Sequence, residues 1–278
     1  MHETDGFSIL LLCDIAGIPR SSYYKWRKRP KSAHEVENEE LLKEMARLFE
    51  KVEGIYGYRR MALNLRRMLN RRLNRKRVHR LMRLGGMKSV IRRKKKSYVY
   101  ISPQQIAENL LNRQFSADSS NEKWLTDVTE LPYDNGRKAY LSAILDLHDK
   151  RIVSHVLGQH NDNPLVYRTL QQAQETAPDS SPLLHSDRGS QYTSRGFKVI
   201  LDTQGMAQSM SRAGKCIDNG PMEGFWGTLK CESYYLHRHD SFESVQKDVD
   251  RYIQFYNENR PQENLGGLSP EEFRSQTT

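Results

Sequence analysis

Residues 123–158, "KWLTDVTELPYDNGRKAYLSAILDLHDKRIVSHVLG", set the architecture. "KWLTDVTELPY" reads as a strand, and "DNG" at Asp134 to Gly136 supplies the residues a tight hairpin turn needs. "KAYLSAILDL" is a second strand, "HDK" turns again, and "RIVSHVLG" is a third. Three antiparallel strands are therefore predicted in succession. Downstream the period changes. A helix in "NPLVYRTLQQAQETA" leads to the strand "PLLHSD", a helix in "SRGFKVILDTQG" and a short strand in "MAQSMS". The loop "RAGKCIDNG" and the helices "PMEGFWGTLKCESYY" and "FESVQKDVDRYIQFYNEN" follow. Hairpin strands followed by alternating helix and strand predict an α/β core, a mixed sheet with flanking helices.

Three acids stand at notable places on that sheet. Asp127 lies within the first strand, Asp187 ends the fourth, and Glu223 sits in the first turns of the helix after the fifth. Asp187 alone, in "SPLLHSDRGSQYTSRG", reads first as a turn residue, since Asp and Gly are common in turns, and the rest of the chain decides. Neighbouring strands and a helix packed over them can bring all three together. Phosphoryl transfer needs such a cluster, because oxygen ligands hold the hard divalent ions that activate one oxygen and stabilise another. The gap between Asp187 and Glu223 is no argument, because Asp14 and Glu50 repeat it.

The chain has 278 residues, 37% apolar content and a net charge of +10. From Gly54 to Glu108 there are 17 Lys or Arg residues and no acid before Glu108 itself, so the remainder is net acidic. A polycation of this kind suits a phosphate backbone, with an anionic membrane surface or a solvated face as the other readings. The longest apolar run, "FSILLLC" at Phe7 to Cys13, is too short to span a bilayer. Cys13, Cys216 and Cys231 form no CxxC pair and no zinc spacing, so reduced thiols are expected.

Upstream of the core, "LLLCDIAGIPRSSYYKWRKRP" outlines two short helices, with Ser21 or Ser22 as the N-cap of the second. A helix is expected from about Glu39 to Val52, with Leu41, Leu42, Met45, Leu48 and Phe49 on one face. Met61, Ala62, Leu65, Met68 and Leu69 line another. Val78, Leu81 and Met82 line a third, which starts near Asn74 and ends at Gly85 and Gly86. The arginines fall on the opposite faces. A helix-turn-helix whose second helix, Arg75 to Leu84, enters a DNA groove fits this better than a solvated bundle. "RRKKKSYVYISPQQ" reads as a linker.

Long stretches carry a resemblance. "WLTDVTE", "LDLHDKRIVSHVLG", "HSDRGSQYTS", "SMSRAGKCIDNGPMEGFWGTLKCE" and "YIQFYNENRPQENLGGLSPEEF" resemble the DDE transposases of bacterial insertion sequences, in particular the second-reading-frame product with a retroviral-integrase-like core. "YGYRRMALNLRR" and "NRKRVHRLMRLGGM" resemble that family's helix-turn-helix region. The resemblance implies a ribonuclease-H-like core with Asp127, Asp187 and Glu223 as catalytic, metal-binding triad, holding Mg2+ or Mn2+ as two ions. The expected DNA contacts, from the basic helices and from the two-turn spacing of Lys230 after Glu223, are Arg59, Arg60, Arg75, Lys76, Arg77, Arg80 and Lys230. The expected organisation is an N-terminal helical segment at 1–33, a basic helical DNA-binding domain at 34–91, a linker at 92–118, the catalytic core at 119–235 and a helical extension at 236–278. The expected partners are double-stranded DNA, further copies of the chain, and an upstream-frame helix-turn-helix protein or fusion, in the bacterial cytoplasm at the nucleoid and without a membrane.

The alternatives are a ribonuclease-H-like nuclease without strand transfer and a DNA-binding regulator with an inactive core. Asp146 and Glu232 compete for the third ligand position. His185 and Arg188 read as DNA contacts or as packing residues, Lys230 as a phosphate or base contact or as a solvated cation, and Trp124 and Trp226 as core.

Overall fold

The computed structural model describes residues 8–91, 111, 115–211 and 219–277. Most of the expected linker, residues 92–110 and 112–114, and most of the "RAGKCIDNG" loop with Cys216 lie outside the described residues. By internal contacts the chain falls into two compact units, Met1–Met61 with Leu73–Lys88, and Ala62–Arg72 with Ser89–Thr278.

The first unit contains α1 (Ile9–Ala16), α2 (Arg20–Lys28), α3 (Ala33–Lys51), the start of α4 (Tyr58–Met68) and α5 (Arg75–Leu84). Gly17 closes α1 in the left-handed region, at φ 64°. Pro19, not Ser21 or Ser22, stands at the N-cap of α2, because its fixed φ of −62° already opens the turn and leaves both serines inside the helix. The helix expected from Glu39 starts six residues earlier. Ser32 and Glu35 form a capping box, Glu35 N–H donating to Ser32 Oγ and Ser32 N–H to Glu35 Oε2. Leu41, Met45 and Leu48 of α3 and Val78, Leu81 and Met82 of α5 are buried. Asn74 caps α5 by accepting the Lys76 N–H at 2.8 Å.

The second unit is built on a five-stranded mixed sheet of order β3-β2-β1-β4-β5. β1 (Lys123–Tyr133) pairs antiparallel with β2 (Arg137–Asp146) across the Asp134–Gly136 turn, where Asn135 takes a φ of 52°, and β2 pairs antiparallel with β3 (Ile152–Gly158). On the other side of β1, β4 (Leu183–Ser186) runs parallel to it, and β5 (Gln208–Met210) parallel to β4. The helices are α6 (Asn163–Thr176), α7 (Arg195–Thr203), α8 (Gly220–Glu232), α9 (Phe242–Glu258) and α10 (Pro270–Thr277).

The strand alternation divides the core into two layers. Trp124, Ile144 and Leu184 join Val166 and Leu170 of α6 and Phe197 and Leu201 of α7. Leu125, Leu131 and Leu145 join Phe225, Trp226 and Leu229 of α8 and Val249 and Tyr252 of α9. Asp127 and Thr129 share the Leu125 face by this period, the face on which α8 lies.

Candidate active site

Asp127 is held in the middle of the sheet, between β2 and β4. The parallel register pairs Leu125 with His185, so two residues further on Asp187 stands level with Asp127 on the adjoining strand line. Glu223 occupies the first turn of α8. The two neighbours act on Asp127 electrostatically. Its half-buried carboxyl is pushed up to about 7, chiefly by loss of solvation and then by the negative charge of Asp187, with a smaller push from Glu223. The indole N–H of Trp226 opposes the shift, donating to Asp127 Oδ2 at 3.0 Å.

Asp187 accepts the Gly189 N–H on Oδ1 at 2.8 Å, which fixes its carboxyl in the turn after β4. Loss of solvation pushes that carboxyl up, but the residue's exposure limits the push and the Gly189 bond works against it. Beneath the site the buried Tyr192 hydroxyl lies 3.3 Å from Thr126 Oγ1, and Asn219 Nδ2 donates to the Thr126 carbonyl at 3.4 Å. Lys230, two turns beyond Glu223, is not a solvated cation. Its Nζ donates to Thr129 Oγ1 at 2.7 Å, and burial lowers its pKa.

The competing acids are engaged elsewhere. Glu232 takes a two-pronged contact from Arg260, Nε at 2.8 Å and a terminal nitrogen at 2.9 Å, and accepts the Tyr252 hydroxyl at 2.9 Å. Asp146 accepts the Asn121 and His148 N–H groups at 2.6 and 2.8 Å and shapes the β2–β3 turn. His185 is fully buried between Ser209 Oγ at 2.8 Å and Ser211 Oγ at 3.1 Å, while Arg188 Nε donates to the Ser211 carbonyl at 2.7 Å. Trp124 is core; Trp226 is core on its ring and polar contact on its nitrogen.

Integrase core domain families match residues 117–216 and 204–270, and an HTH-like domain matches 36–95. The protein of Escherichia coli K12 named as putative transposase InsK for insertion sequence element IS150 is 39% identical over 270 residues, covering 96% of this chain and 93% of that protein. The chain belongs to the DDE transposases of bacterial insertion sequences. Transposase InsF for insertion sequence IS3A of E. coli K12 is 30% identical and covers 99% of this transposase and 96% of its own length. Among solved structures, the catalytic core domain of HTLV-2 integrase in complex with magnesium aligns at 14% identity and a TM-score of 0.44, over 56% of this chain and 98% of that one.

In the transposase's helix-turn-helix-like region the expected DNA contacts differ in their surroundings. Lys76 and Arg80 are exposed on α5, and Arg83, absent from the sequence-based expectation, continues their line three residues on. Arg77 faces α3 instead, donating to Asn38 Oδ1 and Glu37 Oε2, both at 2.8 Å. Arg59 is exposed and donates through Nε to Tyr58 Oη at 3.2 Å; the Arg60 guanidinium lies 5.4 Å from the centre of the Tyr56 ring; Arg75 is half-buried at the start of α5.

The donor chemistry around Asp127 fits a hard divalent ion. All three acids offer oxygen, and the pKa of Asp127, raised chiefly by loss of solvation, is raised further by the charges of Asp187 and Glu223, which a cation would offset. Among the described residues no three His, Cys, Asp or Glu side chains converge as one ion's cage.

Proposed function

We propose that this transposase binds the ends of its own insertion sequence and joins them to target DNA through Asp127, Asp187 and Glu223. The observation that carries the reading is the β1–β4 register, which sets Asp187 in the turn after β4 level with Asp127 on β1, with Glu223 near enough to add to the rise in the Asp127 pKa. Asp127 and Asp187 would share one Mg2+ or Mn2+ ion, and Asp127 and Glu223 a second. Bound there, the ions make an oxygen nucleophile reactive at neutral pH and stabilise the departing one.

The chain's own residues do the rest. β1 holds Asp127 on a hydrogen-bonded strand and the Gly189 N–H holds the Asp187 carboxylate in the turn after β4, so little reorganisation is needed when DNA arrives. Water attacks the element end first, and the freed 3′ hydroxyl then attacks a second phosphodiester, with no covalent link to protein. Lys230, held at Thr129 beside the acids, supplies a cation at the same mouth for the terminal phosphate or base. Lys76, Arg80, Arg59, Arg60 and Arg75 engage the duplex of the element ends, while Arg77 supports α5 from behind.

Strand joining needs two DNA ends, so further copies of the chain assemble on DNA. A probable transposase for IS1353 of Shigella flexneri is 36% identical across 95% of this chain, yet the match covers only 51% of that protein. This supports an additional upstream-frame segment or partner as part of the working assembly. The site of action is the nucleoid in the cytoplasm, and no helix among the described residues is long and apolar enough to cross a membrane.

The test is to incubate the full chain with labelled DNA from either side of its gene and Mg2+, and to look for joined products. Asp187→Asn is nearly isosteric and should bind DNA but join none. Wild-type-like joining by a folded Asp187→Asn chain would remove Asp187 from the site.

A further inference from the structure

We propose that His185 is a positioning residue for Asp187: its ring staples β4 to β5 and so fixes where the strand releases the acid. The inference rests on the reading of Asp187 as a member of the catalytic triad. β4 is four residues long and β5 three, and β5 is the edge of the sheet. Strands this short fray, because few ladder bonds oppose the entropy of the chain. Asp187 stands one residue beyond β4, where fraying is felt first. Asp127 needs no such staple, because β1 has a strand on both sides.

His185 supplies a side-chain crosslink at this end of the sheet. It is level with Ser209 in the parallel register, and by the strand period Ser209 and Ser211 present their hydroxyls on the same face as its ring. Nδ1 lies 2.8 Å from Ser209 Oγ, and Nε2 lies 3.1 Å from Ser211 Oγ. The ring therefore spans two alternate residues of the edge strand. His185, Ser209 and Ser211 are 0%, 0% and 5% exposed, so water does not compete for these bonds. Leu111, also buried, seals the same place and donates its N–H to Ser209 Oγ at 3.1 Å. The two ring nitrogens differ in what they hold. Ser211 donates its N–H to the Ser186 carbonyl at 2.9 Å and accepts Arg188 Nε on its own carbonyl at 2.7 Å, so it is bonded to both neighbours of Asp187. The Nε2 contact thus bears on the acid, and the Nδ1 contact on the body of β5. A misplacement of about 1 Å at a reacting centre can cost about 100-fold in rate, so a staple two residues away is enough to matter.

Glutamine places an amide near the position of Nε2, and asparagine one near that of Nδ1. Full-length wild type, His185→Gln, His185→Asn and Ser211→Ala would be assayed for strand joining in Mg2+ on labelled DNA from either side of the gene. The assays run well below each melting midpoint, with kcat and the KM for DNA resolved. His185→Asn and Ser211→Ala should lower kcat by about tenfold or more and leave KM unchanged, and His185→Gln should recover most of the loss. Combining His185→Asn with Ser211→Ala should add nothing, since both cut one contact. Val166→Ala, which opens a cavity in the other layer of the core, is the control for lost stability alone. A merely structural histidine would give kcat losses that follow the melting midpoint, Val166→Ala included, with glutamine no better than asparagine; that pattern overturns the proposal. A wild-type kcat in His185→Asn overturns it too. Should the His185 variants not fold, Ser211→Ala decides, because it removes a single oxygen, and an unchanged kcat there overturns the proposal. Asp187→Asn separates this claim from the one beneath it. If Asp187→Asn joins DNA as wild type does, the reading of Asp187 fails; if it is inactive while His185→Asn keeps the wild-type kcat, only the role of His185 fails.

Discussion

At the scale of single residues, the opposed states of two acids make the sharpest contrast. Asp127 has a pKa raised from 3.8 to about 7, so the folded chain holds a proton there that the unfolded chain has already released. The stability from that proton is complete below about pH 4 and is lost as pH rises through about 7. Without divalent ions, wild type should therefore melt lower at pH 8 than at pH 5.5. Asp127→Asn cannot ionise, and should flatten that part of the profile and melt a few degrees higher at pH 8, where each kcal/mol is worth roughly 2–4 °C. Thermal melts in chelator check this, and an unchanged pH profile in Asp127→Asn would sink it. Glu232 is the reverse case, an ionised acid matched by a buried Arg260. Glu232→Gln leaves that guanidinium without its counter-charge and should cost about 3–5 kcal/mol. Replacing both by methionine should recover most of the loss in denaturant melts, since a buried pair removed together is often nearly neutral.

At the scale of elements, α5 separates cations that look alike in sequence. Lys76, Arg80 and Arg83 share one exposed line, whereas Arg77 is tied to Glu37 and Asn38 of α3. Replacing the three exposed residues by alanine should lower the slope of log affinity against log salt by about 3, near one for each phosphate no longer neutralised. Arg77→Ala should leave that slope nearly intact and instead lower the melting midpoint; a slope change equal to that of the other three would put Arg77 on the DNA. The sequence could not make this distinction because apolar periodicity in α3 begins at Leu41, while the polar turn that receives Arg77 precedes it. The capping signal that would have found that turn, Ser32 followed by Glu35, was present. The hairpin strands were legible for the opposite reason: alternation and "DNG" act locally, and the register Tyr133 to Arg137 follows from them. The placement of Asp127 and Asp187 was legible once β4 was read as ending beside Asp187. The Trp226 bond was not, since a tryptophan one turn past an acid in an apolar helix reads as packing, and only the β1 face opposite gives its nitrogen a partner.

At the scale of the whole molecule, the question is how many copies must work together. Each chain brings one set of Asp127, Asp187 and Glu223 and one basic α5 face, whereas the proposed reaction joins both ends of an element to a target. If each copy acts on its own end independently, adding Asp187→Asn protein at fixed total concentration should lower single-end joining in simple proportion to the wild-type fraction. If even one joining event requires two competent sites in one assembly, single-end joining follows the square of that fraction, so an equal mixture should keep about one quarter of it rather than one half. Asp187→Asn suits this poisoning because it removes a charge just past the end of β4 and leaves the buried Glu232–Arg260 pair in place. The measurement is joined product per unit time from two labelled ends in Mg2+, with DNA saturated at each mixing ratio so that binding stays constant. Double-end products, scored in the same lanes, give the internal control, because they need a working copy at each end in either case and should fall as the square. A linear fall in the single-end product would mean that the copies act one at a time.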